Sequence, residues 1–282
     1  PAINNLMGSI ASTLTLLGLW FLSLSCYKSF LSVCVIFTAM PLLVYIIFSI
    51  YAFKYKYKEL SPSVSHFRKD AIKSLVNLGI KFFFGQISGM LLMCTANIVI
   101  SKALSPAEVA PYQIAYRYFT MLTILFTLVS TPMWSATTDA YNRGDINWIC
   151  STTRKLELSV LVMFLILIIM LIASNDFYAI WTAHKVHVDF TLSLWVATYT
   201  FILLMSMCYS NIIYGIGKMN LTVATVFAMA IIFIVTAYPI TTRFGITGLV
   251  AVQSIVTLVC TLQNLIQCKL LLSGKAKGIF NK

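Results

Sequence analysis

Acidic residues are scarce in this chain, and the scarcity is the first limit on what it can do. Eight Asp and Glu stand against twenty Lys and Arg in 282 residues, and charged residues make up only 10% of the total. With 60% hydrophobic residues, this composition lies outside the range of soluble domains. The acids are Glu59, Asp70, Glu108, Asp139, Asp145, Glu157, Asp176 and Asp189, and all fall in loops or at the ends of apolar runs. A site for organic cations, or a proton or sodium relay, wants a carboxylate inside the membrane, and none lies deep in any run here. The seven cysteines are odd in number and contain no C-x-x-C, so neither a disulfide framework nor a zinc site is indicated. His184 and His187 stand three apart with Asp189 nearby but lack a third ligand at helical spacing, so no metal is expected. A Walker sequence, a nucleophile elbow and a Rossmann fingerprint are all missing. The chain is therefore expected to be no enzyme, to hold no cofactor and to hydrolyse no ATP of its own. It begins at Pro1 without the charged n-region of a signal peptide, which reads as the later part of a longer protein.

Long apolar runs are what the chain has instead. Eight of them cover roughly residues 6–25, 30–53, 78–100, 112–135, 156–174, 190–213, 221–238 and 247–268. Each is near the ~20 residues needed to cross a hydrocarbon layer ~30 Å thick. Numbering the gaps alternately inside and outside puts fifteen of the twenty Lys and Arg on one side. Only Lys28, Lys102, Lys185 and Arg243 fall on the other, and Arg117 falls within a run. Cytoplasmic loops collect Lys and Arg, so both ends of this chain are expected in the cytoplasm. The formal charge of +12 then reflects loops lying against anionic headgroups rather than a nucleic-acid surface.

The longest hydrophilic stretch, 54–77, opens with Lys54-Tyr-Lys-Tyr-Lys58 and turns at Ser61-Pro62. Phe67, Ala71, Leu75 and Leu78 then recur at helical spacing, with Arg68, Lys69 and Lys73 on other faces, which predicts an interfacial amphipathic helix. Residues 26–29, 214–220 and 239–246 read as tight turns between antiparallel neighbours. Residues 101–111 and 175–189 read as longer outside loops, and 136–155 as an inside segment turning at Asn142–Asp145. Gly85 and Gly89 form a G-x-x-x-G, a close-packing signal in membrane helices. Pro41, Pro132 and Pro239 are expected to kink or end their runs. A loose repeat relates residues 4–54 to 220–275, each an Asn, a run, a short basic turn, a run and then Lys.

Arg117 lies six residues past Pro111, ~9 Å along a helix. An intramembrane charge faces a cavity or a partner, or snorkels to the interface. Tyr116, Thr120, Thr123, Thr127, Thr131 and Trp134 advance in steps of three or four beside it. Similar polar stripes occur at Gln86, Met90, Met93 and Asn97, at Gln253, Thr257, Cys260 and Asn264, and at Asn5, Ser9 and Ser12. Such stripes turn away from lipid, either to bond between helices or to line a hydrated cavity. A cavity with Arg117 and no acid would suit an anion such as phosphate or pyrophosphate.

Residues 104–148 carry a resemblance. Leu104-Ser-Pro-Ala-Glu-Val, Tyr112-Gln-Ile-Ala-Tyr-Arg117, Ser130-Thr-Pro-Met-Trp134, Asp139-Ala-Tyr-Asn-Arg-Gly-Asp145 and Trp148 resemble the O-antigen and capsule repeat-unit flippases. These belong to the multidrug/oligosaccharidyl-lipid/polysaccharide exporter superfamily. The resemblance implies an all-α fold of about twelve transmembrane helices in two lobes around a cavity, eight of them in this chain. Residues 1–53 would be the last two helices of the first lobe, 54–77 a cytoplasmic linker, and 78–282 the six-helix second lobe. The implied function is flipping polyprenyl-pyrophosphate-linked oligosaccharide across the bacterial inner membrane. Arg117 would pair with phosphate or an acidic sugar, and Gln86, Asn97, Tyr116, Thr120, Thr123 and Thr127 would complete the substrate site. Partners would be the lipid-linked oligosaccharide, membrane lipids, a polysaccharide polymerase and a chain-length regulator. The alternative on the same fold is a cation-coupled exporter of drugs or small metabolites, and a third class is a non-transporting membrane scaffold.

Overall fold

A hydrocarbon layer offers no water to the backbone, so a chain that crosses it must satisfy its own N–H and C=O groups. The computed structural model describes residues 2–24, 29–61 and 69–281, and all regular structure among them is helical. Two units are separable, residues 1–72 and 73–282.

In the first unit, α1 (Ala2–Leu24) packs against α2 (Phe30–Tyr51). A Cβ built at Gly18 would meet Ile36 Cγ2 at 2.9 Å, and one at Gly8 would meet Tyr45 Oη at 3.8 Å. As one partner number rises the other falls, so the two helices run antiparallel. Met7, Ala11 and Thr15, one turn apart, are buried on this seam. The Ser29 hydroxyl accepts the Leu31 N–H at 3.3 Å and caps α2. The helix then passes into a π-helical turn (Ala52–Lys56) and a 3-10 turn (Lys58–Leu60).

The expected interfacial helix lies partly outside the described residues, which exclude 62–68 and with them Phe67 and Arg68. From Lys69 onward the backbone already belongs to α3 (Lys69–Ala103). No break separates 69–77 from the membrane run, because no Gly or Pro stands between Lys69 and Leu78 to stop the helix.

The second unit adds α4 (Val109–Asn142), α5 (Ile146–Ile172), α6 (Ser174–Trp181), α7 (Phe190–Ile216) and α8 (Asn220–Leu272). Helix α7 is the hub. It packs on α4, α5 and α8, and Leu192, Val196, Leu204, Cys208, Ile212 and Ile213 are buried around its circumference. A helix with apolar residues on most of its sides can pack on several neighbours at once, and α7 leaves Phe190 and Leu194 exposed. It ends at Gly217 (φ 84°), whose N–H bonds back to Ile213 O and Tyr214 O. The α4–α5 turn falls where expected. Arg143 Nη2 pairs with Asp139 Oδ2 at 2.6 Å, and the Asp145 carboxylate accepts the Trp148 N–H at 3.0 Å. Within the expected 175–189 loop the chain instead forms α6, where Tyr178 is buried with its hydroxyl 3.3 Å from Ser193 Oγ. Burial pushes that phenol up to about 12, so it stays neutral.

Helix α8 has 53 residues, ~80 Å if straight, far more than one crossing needs. It folds back at Gly245 (φ 66°, ψ −160°), a conformation essentially reserved for glycine. The reversal is visible in Thr222 Oγ1, which donates to Asn264 Oδ1 at 3.0 Å with Gln267 Oε1 at 3.3 Å. The last two expected spans are therefore the two arms of α8, and the described residues hold seven helices long and apolar enough to cross a membrane. The turn expected over 239–246 is displaced. The helix runs through Pro239 and reverses only at Gly245, because proline removes one N–H whereas the reversal needs a positive φ.

Helices α4 and α7 approach closely at Gly215. A Cβ there would lie 2.7 Å from Thr137 Cβ and 2.9 Å from Trp134 O, and Thr138 Oγ1 donates to Gly215 O at 2.8 Å. Gly215→Ala is expected to separate α4 from α7 and cost about 1–3 kcal/mol. Thermal unfolding of the detergent-purified protein reads this directly, and an unchanged midpoint would show that the crossing is not tight.

Candidate functional site

The threonine stripe of α4 exists, but its hydroxyl protons are committed to its own helix. Thr120 Oγ1 donates to Tyr116 O, Thr123 Oγ1 to Thr120 O and Thr127 Oγ1 to Thr123 O, each at 2.6 Å. What each hydroxyl keeps for a ligand is acceptor capacity. On α3, Asn97 Nδ2 donates to Met93 O at 3.3 Å, and Asn97 Oδ1 accepts Gln113 Nε2 at 2.6 Å. Asn97 thus ties α3 to α4. Gln86 is exposed and bonds to no other described residue.

Arg117 is exposed and forms no ion pair among the described residues. Met121, Ile124 and Leu128, at four, seven and eleven residues beyond it, are exposed on the same side. Arg117 therefore stands on an apolar face of α4, about a quarter-turn from the threonines, and the structure does not gather it with them.

What the second unit encloses is a cavity of about 290 Å³ between α3, α4, α7 and both arms of α8. Its polar lining is Tyr116 from α4, Tyr199 and Ser206 from α7, and Gln253, Thr257 and Cys260 from the second arm of α8. Of the seven residues expected to form a substrate site, only Tyr116 reaches it. The Tyr112, Tyr116 and Tyr199 rings follow one another at 5.6 and 6.0 Å between centroids, the last two at 29°. The Tyr112 hydroxyl points to Gln253 Oε1 at 3.5 Å. Thr257 Oγ1 donates to Gln253 O at 2.8 Å, and Ser206 Oγ receives Asn264 Nδ2 at 3.4 Å. Among the described residues, no charged side chain lines the cavity.

The sequence marked Gln253, Thr257 and Cys260 as a stripe; Tyr199 and Ser206 were not singled out, although with Ser210 they share one face of α7. The G-x-x-x-G of α3 also behaves differently from expectation. A Cβ at Gly85 or Gly89 would meet nothing within 4 Å, and both residues border the cavity. They mark space, not close packing.

No family model matches this chain, and no curated protein matches it. Solved structures do. A crystal structure of a MATE point mutant matches 96% of this chain with a TM-score of 0.77 at 13% identity, over 62% of its own length. A MATE in the bent conformation gives 0.75 at 16% identity, covering 96% of this chain and 61% of that one. An outward-facing multidrug resistance MATE family transporter of the MOP superfamily gives 0.65 at 17%, covering 96% and 62%. At such identities the likeness is one of fold, and this chain spans less than two thirds of the structures it matches. The chain is an all-helical, multi-pass membrane protein with the fold of MATE transporters.

The Asn97–Gln113 bond gives a prediction. Asn97→Leu and Gln113→Leu should each destabilise the second unit, and the double variant should cost less than their sum by about 0.6 kcal/mol. Strict additivity in thermal unfolding would mean that the two side chains act separately.

Proposed function

We propose that this chain is the greater part of an exporter built on the MATE fold, moving small organic molecules out of the cell. The observation that supports it is the fold match over 96% of the chain, to proteins that include a multidrug resistance transporter. In this reading residues 1–53 close the first lobe, 54–77 link the lobes on the cytoplasmic side, and 78–282 form the second lobe. The protein sits in a bacterial inner membrane with both ends of this chain in the cytoplasm, as its basic loops suggest. Rocking of one lobe against the other would alternate access. A cation-coupled cycle needs a carboxylate in the membrane. Among the described residues Glu157, inside α5, accepts the Tyr209 hydroxyl at 3.0 Å and is the candidate for that group.

A second reading keeps the same fold and takes lipid-linked oligosaccharide as substrate, with the polymerase and chain-length regulator as partners. Arg117 favours it: an unpaired cation on an exposed apolar helix face suits a pyrophosphate whose lipid tail stays in the bilayer. Gln86, Asn97, Tyr116, Thr120, Thr123 and Thr127 would then offer hydrogen bonds to sugar hydroxyls.

Deleting the full-length gene separates the two. Rising retention of fluorescent drugs, with the lipid-linked glycan pool unchanged, supports small-molecule export. Glycan accumulating on the inner leaflet, with surface polysaccharide lost, supports the second reading. Arg117→Ala, Arg117→Lys and Arg117→Glu sharpen the test. Under the second reading Glu should abolish glycan export and Lys should retain part of it. Normal export by all three at matched expression would make Arg117 a snorkelling residue.

A further inference from the structure

Among the described residues the cavity inside the second unit is lined by neutral groups, and that restricts what it can hold. A charged guest would lose its hydration there with nothing to compensate it. An apolar guest would strand the hydroxyls and the Gln253 amide. Ser206 Oγ, which receives Asn264 Nδ2, keeps its own proton to give, whereas Thr257 Oγ1 has spent its proton on Gln253 O and can only accept. Donor and acceptor line the same cavity as the Tyr116 and Tyr199 rings, and this combination matches ring hydroxyl groups, which both give and accept. The volume of about 290 Å³ equals roughly ten waters at ~30 Å³ each, room for a single substituted ring.

The α3 side decides how a guest gets in. Membrane helices use G-x-x-x-G to bring backbones together. Here the Cβ positions of Gly85 and Gly89 face empty space. Helix α3 is held beside the cavity by its aromatic contacts, Phe82 with Trp134 at 5.6 Å and Phe84 with Phe227 at 5.3 Å, and by the Asn97–Gln113 bond. Between these anchors its glycine face leaves an opening.

We propose that this cavity is a binding site for an uncharged, hydroxyl-bearing ring, admitted past the glycine face of α3. The site lies within one unit and does not depend on which substrate, if any, the whole protein exports.

The open Cβ positions make a clean test, because a larger residue fills the cavity without displacing packed atoms. Purified full-length protein in lipid nanodiscs is titrated by equilibrium dialysis with radiolabelled phenyl β-glucoside, with phenyl phosphate and anilinium as charged comparators. Phenyl glucoside should bind saturably and better than either ion. Gly89→Leu should weaken it by about tenfold or more, and Tyr199→Phe and Ser206→Ala, which preserve shape, by several-fold each. Gly79→Leu, also on α3 with open space but outside the cavity, should bind as the parent does. Non-saturable partition into lipid, tighter binding of either ion, or equal binding by Gly89→Leu would overturn the proposal. Export is not read at any point, so this result and the export assay stand or fall separately.

Discussion

The bilayer's inability to hydrogen-bond the backbone is the constraint on which everything else here rests. It forces each crossing to be a helix, and it removes the hydrophobic effect as a reason for helices to meet. Association must then come from close approach and from polar contacts between helices. Both appear where expected on physical grounds: at Gly18 and Gly215, where a neighbouring helix comes close, and at Asn97–Gln113 and Thr222–Asn264, where side chains bond between helices or helix arms. A helix without such contacts has little to hold it, and a cavity persists where α3 passes over two glycines.

The same constraint explains how polar residues are used. Most threonines in the spans donate to a carbonyl one turn back, which settles the hydroxyl proton within the helix. The amides of Gln253, Asn264 and Gln267 are buried and bond instead to other elements or to the opposite arm of α8. Gln267 Nε2 reaches Lys218 O at 2.8 Å and Phe280 O at 3.3 Å, tying the α7–α8 turn and the C-terminal 3-10 turn to the second arm of α8.

Much of the fold could be read from the sequence, because run length and hydropathy are direct statements about crossing a membrane. Among the described residues all eight apolar runs are helical, the last two as arms of α8, and the Asn142–Asp145 turn is where Asn, Gly and Asp cluster. The site was less legible. A stripe of Thr shows that one face differs from the rest, but not whether its hydroxyls serve a ligand or the helix. Arg117 adjoins that stripe in sequence yet points a quarter-turn away from it. Tyr199 and Ser206 escaped notice because the residues around them on α7 are mostly apolar, although with Ser210 they share one face. The G-x-x-x-G of α3 shows the limit of motif reading: the same two glycines allow contact or create space, and only the neighbouring atoms decide.

The self-bonded threonines of α4 bear on movement. A free hydroxyl pays a penalty each time it passes from water to hydrocarbon, whereas one already bonded to its own carbonyl carries most of its solvation with it. The Thr120–Thr123–Thr127 ladder therefore makes this face nearly indifferent to its surroundings. It can lie against water, lipid or another helix at similar cost, so α4 can exchange neighbours without first finding new partners for its side chains.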